Sequence, residues 1–265
     1  MVSVSSDLLQ TWIIGLLWPL TRVLGVIASA PLFSHVAVPN RVKLGLGLMI
    51  TLIIMPTLPA VQFAIFSFEG LLVLMQQLII GLAIGFSMRL VFAAVDLAGQ
   101  MMSMSMGLGF ATFFDPQSQG QSAAINQFLM LLVMLIFLSL DGHLMIITAI
   151  AQSFMTMPIG LHVGSIHYLQ VAEWGSTIFS IGLLLSLPVM TALLITNMAL
   201  GILSRTAPQL NLFGIGFPVT LSVGFVALAL ALPSMLKPIE HLIEQGGVYM
   251  QQVATPVVSA SNTPK

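Results

Sequence analysis

Six apolar runs, each about long enough to cross a lipid bilayer, constrain this chain more than any other feature. They cover residues 8–33, 44–66, 70–95, 124–140 (with a continuation towards 157), 174–203 and 212–236. A spanning helix needs roughly 20 mainly apolar residues. Residues 90–114 are apolar as well and can supply a further helix or one arm of a hairpin. The expected fold is therefore all-α, a multi-helix membrane-type protein. Pro19, Pro56 and Pro188 lie within or near the ends of these runs. A proline lacks the amide proton and clashes with the preceding turn, so each should kink or stop its helix.

Charge supports the same class. Only 6% of the residues are charged, while 58% are hydrophobic. A soluble domain carries about a quarter charged residues. So few charges cannot cover a surface in water, and the chain must face lipid or protein that replaces lipid. The net charge of −1 leaves no basic footprint for nucleic acid. There are no cysteines, which removes disulfides, thiolate metal sites and a thiol nucleophile together. The first ten residues carry Asp7 and no basic group, so the N-terminus reads as a retained helix rather than a cleaved signal. Short connections make residues 1–250 one helical domain. The Ser-, Thr- and Pro-bearing residues 251–265 read as a disordered tail.

A few groups go against this apolar background. Arg22, Arg89 and Asp96 lie within or beside apolar runs. An ionisable group at bilayer depth costs at least about 2.5–3.5 kcal/mol, so each needs a partner, a wet cavity or the interface. A transport pathway would use them. Snorkelling, or pairing with other chains in an assembly, explains them more simply, because no helix face gathers carboxylates. Asp141-Gly142-His143 ends an apolar run and superficially resembles acid–base machinery. No nucleophile elbow accompanies it, so it reads as a turn in which Asp141 accepts backbone bonds and Gly142 takes positive φ. His35, His143, His162, His167 and His241 are scattered without ligand spacing, which argues against a metal.

The most distinctive stretch begins with a methionine run, Met101, Met102, Met104 and Met106, interleaved with Ser103 and Ser105. Methionine is unbranched and adaptable, so such a run either packs helices or seals a surface of variable shape. It leads into residues 107–122, with Gly107, Gly109, Phe110, Phe113, Phe114, Asp115, Pro116, Gln117 and Gly120. Phe110, Phe113 and Phe114 would share one face of a helical turn. Asp115-Pro116 has the form of an N-cap followed by proline at the first helical position. The polar residues after it fit a loop outside the membrane, or a re-entrant element buried in protein or lining a water-filled cavity. The apolar arms and the methionine run on either side favour the re-entrant alternative.

Five ordered blocks carry a family resemblance: Arg22 through Pro31-Leu32-Phe33 to Val38-Pro39; the stretch 107–122; Phe137-Leu138-Ser139-Leu140-Asp141-Gly142-His143-Leu144; Ser153-Phe154 to Pro158-Ile159-Gly160; and Gly201-Ile202-Leu203-Ser204-Arg205-Thr206-Ala207-Pro208-Gln209-Leu210-Asn211-Leu212-Phe213 through Gly216-Phe217-Pro218. Together they resemble the flagellar biosynthesis FliR family, whose injectisome counterparts are the T-type export-apparatus proteins. The resemblance implies a non-enzymatic subunit of the type III protein export gate, without catalytic residues, cofactor or metal. It implies long kinked helical hairpins, similar to P-type and Q-type subunits (FliP, FliQ) fused in one chain. One such chain completes a ring of P-type and Q-type subunits, raised from the inner membrane within the flagellar basal-body ring. Its hairpins then need not cross the bilayer as ordinary spans.

The resemblance further implies FlhA- and FlhB-type neighbours and unfolded flagellar proteins as export substrates. It maps residues 107–122 onto a loop that plugs the pore, with the four methionines as sealing candidates. Arg22, Arg89, Asp96, Arg205 and Asn211 become candidates for subunit contacts. A secondary transporter or ion channel would call for paired half-helices and neighbouring intramembrane carboxylates, and this chain has few carboxylates. An intramembrane enzyme built on Asp141 and His143 lacks a nucleophile.

Overall fold

A computed structural model describes residues 6–59, 67–108, 124–160, 168–207 and 212–255. Among these the chain is all helical, with seven α-helices. They are α1 (Ser6–Ser29), α2 (Asn40–Ile54), α3 (Phe68–Ser105), α4 (Ala124–Ser139), α5 (Gly142–Thr156), α6 (Tyr168–Thr206) and α7 (Leu212–Val253). Short 3-10 turns follow α1 at Leu32–Ser34 and α2 at Met55–Thr57. Pro56 occupies the second turn and ends α2, whereas Pro19 and Pro188 remain inside α1 and α6.

Six expected spans become fewer and longer. Three helices are long and apolar enough to cross a membrane, Phe68–Ser105, Glu173–Thr206 and Ile215–Val253, and a fourth span results if the bent pair α4–α5 counts as one. The run at 70–95 does not stop there. It continues to Ser105, taking in the first part of the run at 90–114, as one 38-residue helix. The last helix passes the expected end at 236 and continues to Val253, so Gln251 and Gln252 are helical. Apolar residues keep a three-to-four spacing through this extension, with Ile239, Leu242, Ile243, Met250 and Val253 all buried.

The chain divides into two compact units. One contains residues 1–90, 141–174 and 244–265, the other 91–140 and 175–243. In the first unit, α1 and α3 meet through small residues. Gly25 and Ser29 on α1 oppose Gly81 and Gly85 on α3, two small-xxx-small pairs of the kind that lets membrane helices approach closely. A Cβ at Gly81 would sit 2.1 Å from the Arg22 carbonyl oxygen, and one at Gly85 would lie 2.7 Å from that of Val26. Backbone thus rests on backbone at this crossing. Trp174 stacks on Tyr249 with ring centroids 4.1 Å apart, and its Nε1 donates to the Ser87 carbonyl at 3.1 Å, tying α6, α7 and α3 together. Thr156 donates to the Ala254 carbonyl and holds the end of α7 to α5.

In the second unit, Phe92 of α3 meets Phe137 of α4 edge-on at 5.5 Å. Gly99 lets α4 approach closely, since a Cβ there would lie 2.9 Å from the Asn126 Cα. Gly182 does the same for α6 against Ala94 and Leu97 of α3.

The turn at 140–142 differs from expectation in which residue bears the strain. Asp141, not Gly142, adopts the left-handed conformation, with φ 55°. A short polar side chain tolerates this region better than a bulky one. Its carboxylate makes no capping bond. Its carbonyl instead accepts from the amides of Leu144 at 2.8 Å and Met145 at 3.1 Å. Gly142 is buried as the first residue of α5.

Candidate functional site

The buried polar centre of the first unit is built around Arg22. Its side chain is fully buried on α1. Nε donates to Gln77 Oε1 at 2.7 Å, Nη1 to the Ser153 carbonyl at 2.8 Å and to Ser153 Oγ at 3.1 Å, and Nη2 to the Met157 carbonyl at 2.8 Å. The guanidinium carbon also lies 4.2 Å from the centroid of the Phe154 ring. The two carbonyls belong to the last turn of α5 and the residue capping it. The Ser153 carbonyl also accepts the Met157 amide at 2.9 Å, and both carbonyls lie at the negative end of the helix dipole. The rigid fork of an arginine fits this arrangement, satisfying several acceptors at once without a carboxylate. Arg22, expected among the subunit contacts, therefore spends its hydrogen bonds within the chain, joining α1, α3 and α5.

The other charged candidates have different surroundings. Asp96 is half-buried in the second unit, where Oδ1 accepts from Asn126 Nδ2 at 2.7 Å and Oδ2 from Gln100 Nε2 at 2.8 Å. Arg89 and Arg205 are exposed on α3 and α6. Asn211 lies outside the described residues. Among the described residues, no three His, Asp or Glu side chains gather as metal ligands. His162 and His167 also lie outside them.

The end of α3 carries the methionine run into the polar stretch. Met102 and Met106, one turn apart, are fully buried in the second unit, and Met104 is 74% exposed. Met101 is half-buried, with its sulfur 3.7 Å from Ser186 Oγ of α6. The Met106 amide still donates to the Met102 carbonyl at 3.0 Å, while the Gly107 amide bonds the Met104 carbonyl in a tighter turn, also at 3.0 Å. Gly107 has φ 85°. That left-handed conformation after a helix is the ordinary place for glycine.

Three α7 residues on one face receive this end: Phe217, Thr220 and Gly224. A Cβ on Gly107 would be 3.5 Å from the Phe217 ring. Thr220 Oγ1 stands 3.1 Å from the Phe217 carbonyl and 3.4 Å from that of Met106, so its single proton serves one or the other. The Met106 side chain lies flat over Gly224, where a Cβ would fall 2.2 Å from Cε and 2.6 Å from Cγ. Gly109, Phe110, Phe113, Phe114, Asp115, Pro116, Gln117 and Gly120 lie outside the described residues, as does the helix start read at Asp115-Pro116. Nearby, α4 and α7 enclose an apolar groove of about 330 Å³ lined by Phe128, Phe225 and Leu232 among others. It offers no charged group to a ligand.

Sequence reasoning placed Arg22 and Met106 among the notable residues and named Ser153 only within a family block, but missed Gln77, Thr220 and Gly224. The small-residue pairs at 25/29 and 81/85 were the available signal for the α1–α3 crossing.

Comparison with known proteins adds a direct result. The profile of the family described as bacterial export proteins, family 1, matches residues 13–246. The chain is 44% identical over 246 residues to the flagellar biosynthetic protein FliR of Pectobacterium carotovorum subsp. carotovorum, covering 92% of this chain and 94% of that protein. The same identity and coverage hold for FliR of Escherichia coli strain K12. FliR of Bacillus subtilis strain 168 is 29% identical over 211 residues, 78% of this chain and 82% of that protein. An all-helical chain with long apolar helices, matched over nearly its whole length by these flagellar proteins, belongs to the FliR family of bacterial export proteins.

Proposed function

We infer that the chain is a subunit of the flagellar type III export gate in the bacterial inner membrane, at the base of the flagellum. There it forms part of the channel for unfolded flagellar proteins. Family membership over 92% of the chain carries this reading. The uncovered helices support it. About 61% of the most apolar window of α3 is buried by the chain itself, against 28% for α6 and 22% for α7. Two long apolar helices left so bare need other molecules along most of their length. P-type and Q-type subunits are the partners that fit, with FlhA- and FlhB-type proteins beside them. No catalytic step is assigned, because the work is conduction.

Residues 107–122 are the plug of that channel. What supports this is their start: a buried methionine and a left-handed glycine deliver the chain from an apolar helix directly into a glycine-, phenylalanine- and glutamine-bearing sequence. Polar backbone beside apolar helices must be buried in protein or line water. Deleting residues 107–122 in cells should raise the resting ion permeability of the inner membrane while the complex still assembles. An unchanged leak in an assembled complex would reject the plug.

A further inference from the structure

The positive charge of Arg22 is met by neutral groups. Its four acceptors are the Gln77 amide oxygen, the Ser153 carbonyl and hydroxyl, and the Met157 carbonyl. Two further buried donors, Gln77 Nε2 and Trp18 Nε1, have no acceptor among the described residues. Both residues, like Arg22, are wholly buried. Turning the Gln77 amide over gives no relief, because its oxygen holds the Arg22 Nε–H at 2.7 Å and a reversal would set donor against donor. The helix crossing brings Trp18 to the same place. Helices α1 and α3 run in the same direction there, with Arg22 against Gly81 and Val26 against Gly85. One turn back on each helix stand Trp18 and Gln77. Long helical side chains lean toward the N-terminus of their helix, so that of Arg22 reaches back to this level. A permanent cation, an indole N–H and an amide NH2 therefore share one buried, donor-rich centre.

We propose that Trp18 Nε1 and Gln77 Nε2 form, beside the Arg22 guanidinium, a binding site for one small inorganic anion of halide size. Buried charges are ordinarily paired, and a buried donor left without an acceptor is costly. A single acceptor-only ligand meets both needs: it accepts from the indole and the amide and offsets the charge of the guanidinium. Water meets only the first. It must also find acceptors for its own two protons, where the nearest oxygens already serve Arg22. Residue 77 fits this division of labour. Glutamine gives Arg22 an oxygen and keeps two N–H groups for the anion, whereas a glutamate would neutralise the arginine itself and repel an anion. The bound ion ties the crossing of α1 and α3 to the end of α5, a structural role separate from conduction.

The experiment uses the full chain in its purified, assembled complex. Chloride is exchanged for gluconate at equal ionic strength, and the temperature at which this chain unfolds and leaves the complex is followed. A ligand bound only by the folded chain raises that temperature, so wild type should lose several degrees without chloride and regain them with bromide. Trp18→Phe keeps every bond of Arg22 and removes one donor; half of the shift should then need a several-fold higher halide concentration. Gln77→Glu, nearly isosteric, offers one carboxylate oxygen to Arg22 and the other to Trp18. It should be stable in gluconate and indifferent to halide, an outcome that mere damage to the fold would not produce. Gly175→Ala serves as the control, since nothing lies within 4 Å of a Cβ there, and it should respond as wild type does. Crystals of the complex in bromide should show an anomalous scattering peak within hydrogen-bond distance of both donors. Indifference of wild type to halide, or a wild-type response in Gln77→Glu, would overturn the site. An ordered water at the two donors, unchanged by bromide, would overturn it as well. If Trp18→Phe fails to assemble, the glutamate variant and the bromide map decide.

Discussion

Arg22 shows how one side chain can be conspicuous in a sequence while its purpose stays hidden. Its charge within an apolar run is visible at once. Its partners are not, because three of the four acceptor atoms lie 131 and 135 residues away, two of them backbone carbonyls that any residue could supply. Hydrogen bonds to a charged group in a dry interior are strong, and leaving their acceptors unpaired costs about 1–3 kcal/mol each. Arg22→Ala should therefore lower stability by about 3 kcal/mol or more. Arg22→Lys should recover only part of that loss, since an ammonium cannot bridge Gln77, Ser153 and Met157 as a fork does. Denaturant unfolding of the purified complex, with the cellular level of the chain, measures both. Equal stability of the lysine variant and wild type would show that the fork geometry is unimportant. Asp141 makes the complementary point: a glycine beside an aspartate attracts the turn assignment, but Gly142 is the buried first residue of α5 and Asp141 takes the left-handed conformation.

At the scale of elements, every described helix was legible as an apolar run, and what failed were the joins. Helix α3 continues through Arg89, Asp96 and Gln100 because these polar residues recur at intervals of seven and four and so keep to one side of the helix. Asp96 is satisfied there by Gln100 and Asn126. An average over a window sees only falling hydrophobicity. The extension of α7 was missed for the same reason, its buried residues being spaced for one face while Glu240, His241 and Glu244 occupy the other. The packing of Met106 on Gly224 could not be read from sequence, because nothing about Gly224 alone marks it as the place where that side chain lies.

Glycines in these helices carry opposite expectations. Gly81→Ala drives a Cβ into the Arg22 carbonyl oxygen. Backbone cannot rotate away as a side chain can, so α1 and α3 must separate, at a cost of about 1–3 kcal/mol. Gly45, inside α2, has nothing within 4 Å of a Cβ. Gly45→Ala should stabilise by about 0.5–1 kcal/mol through helix propensity alone. Thermal unfolding of the two variants in the complex should shift in opposite directions. Shifts of the same sign would contradict the close approach at Gly81.

For the whole molecule, the question is what covers the bare faces of α6 and α7. Lipid could cover Phe179 and Leu230, which are 70% and 77% exposed. It cannot comfortably cover everything on these elements. Asn197, deep within α6, is exposed, as is Arg89 on α3, and a charged side chain at the centre of a bilayer costs about 2.5–3.5 kcal/mol or more. Protein surfaces can provide acceptors and donors where lipid tails provide none. These groups favour the proposed covering by other subunits. Purified alone in detergent, the chain should aggregate or degrade. Produced together with its P-type partner, it should become stable and co-purify in a complex of one defined mass, measurable by native mass spectrometry. A monodisperse monomer with a cooperative unfolding transition in detergent, obtained without any partner, would show that lipid-like surroundings suffice and would remove the physical reason for placing this chain inside a multi-subunit gate.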